Sequence, residues 1–364
     1  MSIIFIGPYR QPDEWGTRSF NLLQSLKKTE ANITSRPLFL ANFPPVTVEE
    51  ETEYTRFDNY DTLIQHSLPG NFIIDKSFKK NIGVIDLETV DISHSGWLYR
   101  LSFLDEIWVN SNIVKQYLER ALPTNIIRNI SNSMDSSIVD FQNDQEFDGI
   151  DPQRFKFYFI GNTEDKNGLE ELLIAYYKSF TTQDRVQLVL FLPNMLPDSF
   201  EPIFQRCVQR AGALYEQALT PLVHVINVNL TADQIKTAHR QCDCLVSPSY
   251  MLSTQSLPLE AAVFGNNPII TDGTGTAEVL TDINGWLIDS YEECCVVNNR
   301  PFADTFTAHE TIRKPIIKSL ANCLYEAYNN KYIRDKKKSN TYKLLQTLSH
   351  ETVAEKLKDY VCTP

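Results

Sequence analysis

A lysine-bearing loop between a predicted strand and a predicted helix is the first candidate for chemistry. The segment FIGNTEDKNG starts in an apolar run, passes through Gly161 and Asn162, and places Lys166 just before helical spacing begins at Gly168. Free N–H groups at a helix N-terminus beside a lysine favour a bound diphosphate. The pattern is neither a P-loop nor a dinucleotide fingerprint, and a lysine that contacts only water remains the alternative.

A carboxylate on a second predicted helix is the other candidate. The apolar run 244–247 leads through Pro248 into a loop, and a helix carrying Glu260 follows. A carboxylate there, at the carboxyl edge of a sheet, can accept hydrogen bonds from both hydroxyls of a ribose. A glutamate near the start of a helix also stabilises that helix. From the residues alone both interpretations stay open.

The region around Glu260 resembles the C-terminal domain of retaining glycosyltransferases of family four, the glycogen-synthase-like enzymes with the GT-B fold. The resemblance is carried by the ordered segments DCLVSPS, SLPLEAA, FGNNPII, GTAEV and INGW between residues 243 and 286. The loop that contains Lys166 is similar to the diphosphate loop of that family. This resemblance implies that Ser256 and Leu257, at the start of the helix, face the donor.

The N-terminal half carries weaker parts of the same resemblance. DEWGTRSFNLLQSL resembles the family's glycine-bearing loop and first helix, which implies that Gly16 and Arg18 face the donor phosphates. TLIQHSLP resembles the strand that ends in the donor-site histidine, which maps onto His66. IGVIDLETVDISHSGW followed by DEIWVNS implies that Glu88, in preference to Asp86, lies at the cleft.

The chain departs from the family in two places. The family pairs two glutamates eight residues apart, and the position eight before Glu260 is Leu252. Asn162 stands where the diphosphate loop has an arginine, which removes a bidentate phosphate contact. Neutral side chains near Leu252 are then the candidates for contact with the donor sugar: Ser253, Thr254 and Gln255.

The elements that position these residues follow the alternation of a doubly wound α/β protein. Apolar runs at 2–6, 35–40, 62–65, 82–86 and 106–109 alternate with helical spacing at 17–26 and 111–121. The polar stretch 140–152 interrupts this pattern, and a second alternation begins at residue 155. Amphipathic segments at 312–328 and 353–361 predict helices in the C-terminal tail.

We therefore predict a GT-B fold with two Rossmann-like domains that face a central cleft. Residues 1–150 are predicted to form the acceptor-side domain and residues 151–335 the domain that binds the nucleotide-sugar. Residues 336–364 are predicted to form a helical tail that packs back on the N-terminal domain.

The composition narrows the choice of partners. The net charge of −12 disfavours nucleic acid, because binding a polyanion needs a basic face. The most apolar stretch, 188–192, is far shorter than the roughly 20 residues of a membrane span, and MSIIFIG lacks a signal-peptide pattern. Seven cysteines without paired zinc spacing favour free thiols. We expect a cytoplasmic protein with no integral membrane segment.

The expected activity is transfer of a sugar, with retention, from a UDP- or GDP-linked donor to a glycan or glycosylated acceptor. Lys166 would stabilise the leaving diphosphate, Glu260 would hold the ribose, and His66 would orient the sugar, with no metal and no cofactor. A catalytically impaired homologue that binds a glycan or a nucleotide is the alternative, since a glutamate and an arginine are missing. An epimerase or phosphorylase of the same fold is a further alternative. The sequence does not specify the base, the sugar or the acceptor.

Overall fold

The computed structural model describes residues 2–39, 60–89, 91–94, 96–142, 146–163, 165–193, 197–212, 220–294 and 310–362. In these parts of the chain, two parallel sheets lie one after the other in sequence, and a helical segment follows them. No helix within these ranges is long and apolar enough to cross a membrane.

The N-terminal sheet has the strand order β2-β1-β3-β4-β5-β6, with every neighbouring pair parallel. Its apolar strands are buried because helices cover both faces. The chain changes direction across the sheet between β1 and β3, which creates a crevice at the carboxyl ends of these strands. The strands are β1 Ser2–Gly7, β2 Asn32–Pro37, β3 Thr62–His66, β4 Lys80–Val84, β5 Glu106–Val109 and β6 Ile126–Asn129.

The first helix is fixed at its start by a tight turn. Helices α1 (Glu14–Lys27), α2 (Trp97–Leu101) and α3 (Asn112–Ala121) accompany the N-terminal sheet. Asp13 caps α1 by accepting a hydrogen bond of 2.8 Å from the Gly16 amide. A β-carbon at Gly16 would lie 1.7 Å from the Gln11 carbonyl oxygen, so only glycine fits at this approach.

The second sheet has the strand order β12-β11-β10-β7-β8-β9, and its neighbouring strands are also parallel. Here the direction changes between β7 and β10, so a second crevice opens at their carboxyl ends. The strands are β7 Phe155–Ile160, β8 Val186–Phe191, β9 Leu222–Ile226, β10 Cys244–Ser247, β11 Ile269–Thr271 and β12 Trp286–Ile288. The helices are α4 Leu169–Ser179, α5 Pro197–Ala211, α6 Ala232–Gln241, α7 Ser256–Val263 and α8 Gly275–Val279.

The C-terminal part joins the two halves. After the antiparallel pair β13 (Ser290–Cys294) and β14 (Thr311–Pro315) come α9 (Ile317–Asn329), α10 (Lys331–Leu348) and α11 (His350–Val361). Three apolar residues of α11, Val353, Leu357 and Val361, pack into the core beneath β1 and α1. The predicted return of the last helix to the N-terminal domain is confirmed.

The predicted GT-B architecture is confirmed, and several element assignments need correction. The segment predicted as one helix at 312–328 is the strand β14 followed by α9, since Pro315 ends a segment paired with β13. β2 begins three residues earlier than predicted, and β6 and β12 were not predicted. Helix α10 runs without a break through residue 335, the predicted boundary between the second domain and the tail. The domain boundaries stay predictions.

Candidate active site

The carboxyl-end loops of the two sheets meet across the cleft. Glu88, which follows β4, accepts a hydrogen bond of 3.1 Å at its carbonyl oxygen from the Leu252 amide in the loop after β10. Lys166, which follows β7, reaches the carboxylate of the same glutamate. Because both crevices lie at this contact, the candidate residues from both halves of the sequence come together here.

On the N-terminal side, His66 ends β3 and forms a buried cluster with Asp86 and Arg18. His66 Nε2 lies 2.9 Å from Asp86 Oδ2, and Arg18 forms an ion pair with Asp86 Oδ1. Arg18 also donates to the Ile85 carbonyl oxygen at 3.2 Å. Arg18 is therefore bound inside the protein, where the sequence analysis expected a contact with donor phosphates.

The protonation state of His66 follows from this burial. Burial, and then the charge of Arg18, hold the pKa of His66 well below its usual value, so the imidazole is neutral. A carboxylate only accepts, so Nε2 donates to Asp86 and Nδ1 is left as an acceptor. Nδ1 is buried and has no hydrogen-bond partner among the described residues. This nitrogen can accept a hydrogen bond from a ligand hydroxyl.

Lys166 forms the ion pair that spans the cleft. Its Nζ lies 2.8 Å and 3.0 Å from the two carboxylate oxygens of Glu88, and both side chains are partly exposed. The carbonyl oxygen of Lys166 accepts from the Tyr250 amide at 2.9 Å, which holds the lysine loop against the loop after β10. Gly168 follows at φ 72°, where a β-carbon would lie 2.2 Å from the Pro248 carbonyl oxygen. The lysine and the glutamate are therefore placed opposite each other by backbone contacts.

The other two predicted residues of the lysine loop have internal contacts. Gly161 donates its amide to the Phe191 carbonyl oxygen at 3.2 Å, which continues the ladder between β7 and β8. The side-chain oxygen of Asn162 accepts from the Asn167 amide group. The residue that replaces the family's arginine thus contacts the loop itself.

The loop 252–254 binds the N-terminal domain. Leu252 is 2% exposed and packs in the apolar cluster of the N-terminal domain. It occupies the position of the family's first glutamate, which faces the donor sugar in that family. Ser253 Oγ donates to the Leu87 carbonyl oxygen at 2.7 Å, and Thr254 Oγ1 donates to the Asn110 carbonyl oxygen at 2.6 Å. Both hydroxyl donors are used between the domains, so their contact with a donor sugar stays a prediction.

The start of α7 receives a carboxylate from the other domain. Glu14, in the first turn of α1, accepts hydrogen bonds from the backbone amides of Ser256 and Leu257. These are the amides predicted to face the donor phosphates. Burial raises the pKa of Glu14, while the amide hydrogen bonds oppose this increase. Gln255 precedes the helix and accepts from Ser247 Oγ at 3.2 Å.

Glu260 lies one turn further along α7, and its environment differs from that of the other carboxylates. Burial, followed by the negative charge of Glu14, raises the pKa of Glu260 to about 7. No hydrogen bond to its carboxylate comes from the parts of the chain that the structure describes, and His239 Nε2 lies 4.0 Å from Oε2. This carboxylate has the capacity to accept two hydroxyl donors at once.

Glu278, in α8, contacts the N-terminus of α3. Its carboxylate accepts from the amides of Asn112 and Ile113 at 2.7 Å and 2.9 Å. In the structure it caps a helix of the opposite domain.

The structure thus brings His66, Glu88, Lys166 and Glu260 to one cleft, and it adds three residues that the sequence analysis did not select. Asp86 was set aside in favour of Glu88, although side chains two apart in an extended segment share a face. Glu14 was missed because an acidic residue in a first helical turn is ordinarily explained by the helix dipole. His239 carried no spacing signal in the sequence.

Within the ranges that the structure describes, no group of three histidine, cysteine, aspartate or glutamate side chains is arranged to hold a metal ion. Whether the reaction depends on a metal or a cofactor stays a prediction from the sequence.

Comparison with known proteins gives matches in structure only. No protein-family model and no curated protein matches the sequence. HepE from Anabaena, in complex with UDP and glucose, matches with a TM-score of 0.65 and 13% identity, over 100% of this chain and 99% of HepE. Sucrose-phosphate synthase from Thermosynechococcus elongatus matches with a TM-score of 0.64 and 12% identity, over 99% of this chain and 98% of that one.

This chain has the GT-B fold. The N-terminal domain of trehalose-6-phosphate phosphatase from Candida albicans matches as well, with a TM-score of 0.64, 10% identity and coverage of 99% and 96%. At these identities the match establishes the GT-B architecture, and the chemistry has to be argued from the residues of the cleft.

Proposed function

We propose that this GT-B protein is a metal-independent retaining glycosyltransferase that uses a UDP-linked sugar. The proposal depends on one observation: the carboxylate of Glu260 is largely buried and accepts no hydrogen bond from the described residues. It lies close to Glu14, which binds the first amides of α7. A ribose held by Glu260 would therefore direct its phosphates toward the positive end of that helix.

The structural neighbours support the choice of donor. HepE has been solved with UDP, with UDP and glucose, and with UDP-glucose. A nucleoside diphosphate sugar needs a ribose acceptor, a cation for the diphosphate and polar contacts for the sugar. Glu260, Lys166 and His66 offer these three chemical groups around the cleft.

In the proposed reaction, the bond between the sugar's anomeric carbon and the diphosphate oxygen breaks as the acceptor hydroxyl attacks on the same face. The proton of the acceptor passes to the departing diphosphate, so no protein nucleophile is required. Lys166 offsets the negative charge that develops on the diphosphate. The unpaired Nδ1 of His66 accepts from a sugar hydroxyl and orients the ring.

A donor assay tests this proposal directly. The full-length protein is incubated with UDP-glucose and other UDP-sugars, with glycan acceptors, and with excess EDTA. We expect UDP release with EDTA present, and an α-linked product by NMR from an α-linked donor. Activity that EDTA abolishes and manganese restores would contradict metal independence, and a product of inverted configuration would contradict retention.

The alternative, a catalytically impaired homologue that binds nucleotide or glycan, is favoured by one observation. Both groups proposed to hold the diphosphate already contact internal carboxylates, since Glu14 binds the start of α7 and Glu88 binds Lys166. Binding of UDP without turnover of any UDP-sugar would favour this function. Dependence of turnover on free phosphate would instead indicate a phosphorylase.

A further inference from the structure

Behind Glu260 lies a buried chain of polar side chains: Asn266, Tyr158 and His239. The Asn266 amide nitrogen donates to Tyr158 Oη at 2.9 Å, and Tyr158 Oη lies 2.6 Å from His239 Nδ1. Each of the three residues is less than 9% exposed. The chain ends at Nε2 of the histidine, on the side of Glu260.

The hydrogen bonds along this chain determine where its protons lie. Asn266 Nδ2 also donates to the His239 carbonyl oxygen at 2.7 Å, which fixes the orientation of the amide group. Tyr158 accepts from this amide and uses its own proton for His239 Nδ1. Burial lowers the pKa of His239 to about 3, so its ring is neutral and carries its proton on Nε2.

Nε2 is the ring nitrogen of His239 that lies near Glu260. It is buried and has no hydrogen-bond partner among the residues that the structure describes. Glu260 Oε2 lies 4.0 Å away, slightly beyond hydrogen-bond distance. A buried donor without a partner costs free energy, so a small movement of the carboxylate toward His239 is favourable.

The other charged groups near Glu260 come from α1 and α6. The charge of Glu14 raises the pKa of Glu260, and that of Lys236 lowers it. His239 is the neutral donor on the same side as Lys236, one turn further along α6. Its hydrogen bond would stabilise the ionised carboxylate without adding a charge to the site.

We infer that His239 is a positioning residue whose Nε2–H donates to Glu260 and orients that carboxylate for the two ribose hydroxyls. The inference rests on the proposed function, because it assigns the ribose to Glu260. It gives Tyr158 and Asn266 a role as well, since together they keep the imidazole in the tautomer that donates toward the cleft.

Three substitutions of His239 separate this role from simple packing. His239→Gln places an amide nitrogen near the position of Nε2, whereas His239→Asn places one near Nδ1, facing Tyr158. His239→Leu fills the space without a donor. Melting temperatures establish that each variant folds before binding is compared.

The first measurement is UDP affinity as a function of pH. We expect His239→Gln to stay within about twofold of the parent, and His239→Asn and His239→Leu to bind about tenfold more weakly near pH 7. Loss of a donor raises the pKa of a carboxyl group, so the pH at which UDP affinity increases should move upward in the last two variants. Equal affinities and pH profiles in the parent and all three variants would overturn the inference.

The second measurement needs no nucleotide and keeps the inference separate from the proposed function. Titration of the Glu260 carboxyl by carbon-13 NMR should show a higher pKa in His239→Leu and His239→Asn than in the parent and His239→Gln. If the parent does not bind UDP but these pKa values differ, the proposed function fails while the contact between His239 and Glu260 stands. If the pKa of Glu260 is the same in all four proteins, the inference is wrong.

Discussion

Helices α3 and α7 each receive, at their N-terminus, a carboxylate from the opposite domain. At α3, Glu278 accepts from two backbone amides, and Ser111, which directly precedes this helix, also caps it. At α7, Gln255 forms no side-chain cap, and Glu14 accepts from the first amides. The same interaction therefore supplements an existing cap at one helix and replaces a missing cap at the other.

The surroundings of the two carboxylates differ as well. Glu278 lies in α8, whose first residue, Gly275, donates its amide to the Leu252 carbonyl oxygen at 2.9 Å. Leu252 packs in the apolar cluster of the N-terminal domain, and Ser253 and Thr254 form hydrogen bonds with that domain. We call Glu278, Leu252, Ser253 and Thr254 the interdomain lock. Glu14 is partly buried near the charged side chains of Arg18 and Glu260, and burial raises the pKa of Glu14. We call Glu14, Glu88, Lys166 and Glu260 the charged crevice. The difference indicates that the interdomain lock holds the domains together, whereas we expect the charged crevice to exchange an internal carboxylate for the diphosphate of the proposed donor.

Replacement of Leu252 should break the interdomain lock. We expect Leu252→Ala to destabilise the protein by about 3 kcal/mol, because it leaves a cavity in the apolar cluster of the N-terminal domain. Leu252→Glu, which restores the family's missing carboxylate, should cost more, since it places an uncompensated charge there. Differential scanning calorimetry measures both effects.

Met251 offers the matched control for Leu252. It is adjacent in sequence but only partly buried, so Met251→Ala should lower the melting temperature less than Leu252→Ala does. If Leu252→Glu were as stable as the parent, the assignment of this position to the interdomain lock would be wrong.

Removal of Lys166 should show what the charged crevice contributes to catalysis. Lys166→Ala is expected to lower kcat/KM for the donor. The lost transition-state stabilisation should be on the order of 2–4 kcal/mol. Steady-state kinetics with a UDP-sugar check this result, with Lys79→Ala as a surface control, because Lys79 forms an exposed ion pair with Asp61. Unchanged donor kinetics in Lys166→Ala would assign this lysine to an ordinary surface loop.

The pH dependence of stability should reflect the buried groups near α7. The pKa of His239 is about 3 in the folded protein and about 6.5 when unfolded, so stability falls as the pH drops below 6.5. His239→Gln should lose less stability than the parent between pH 7 and pH 5, by about 2 kcal/mol. The pKa of Glu260, about 7, has the opposite effect, because it lowers stability as the pH rises from 4.5 through 7. Melting curves across this pH range test both directions.

Substitution of Glu14 or Glu278 has the smallest expected effect and compares the N-termini of α7 and α3 directly. Glu14→Gln should raise UDP affinity about fivefold, because the ligand no longer displaces a carboxylate from α7. Glu278→Gln should leave UDP affinity unchanged while lowering the melting temperature. An equal effect of both substitutions on UDP binding would show that the two helix N-termini are equivalent.

The sequence was sufficient for the GT-B fold, whereas the roles of the site residues stay predictions. Strong apolar runs predicted the central strands. The resemblance in both halves of the chain implied that His66, Lys166 and Glu260 face one cleft. The edge strands β6 and β12 were not predicted, although the similarly short central strands β5 and β10 were.

The partners of these residues could not be predicted from the sequence. Arg18 and Asp86 are far apart in sequence and pair only after the sheet forms, and the contact of Glu14 with α7 depends on how the domains meet. The same limit applies to Ser253 and Thr254, whose hydroxyls bind backbone carbonyl oxygens of the other domain, and their contact with the sugar stays a prediction.

Titration of UDP into the parent and Glu260→Gln by calorimetry tests the central claim most directly. An ionised carboxylate accepts from both ribose hydroxyls, whereas an amide offers a single oxygen. We predict that Glu260→Gln binds UDP about tenfold more weakly, and that 2′,3′-dideoxy-UDP binds both proteins weakly and almost equally. Equal UDP affinity of the two folded proteins would contradict the assignment of the ribose to Glu260.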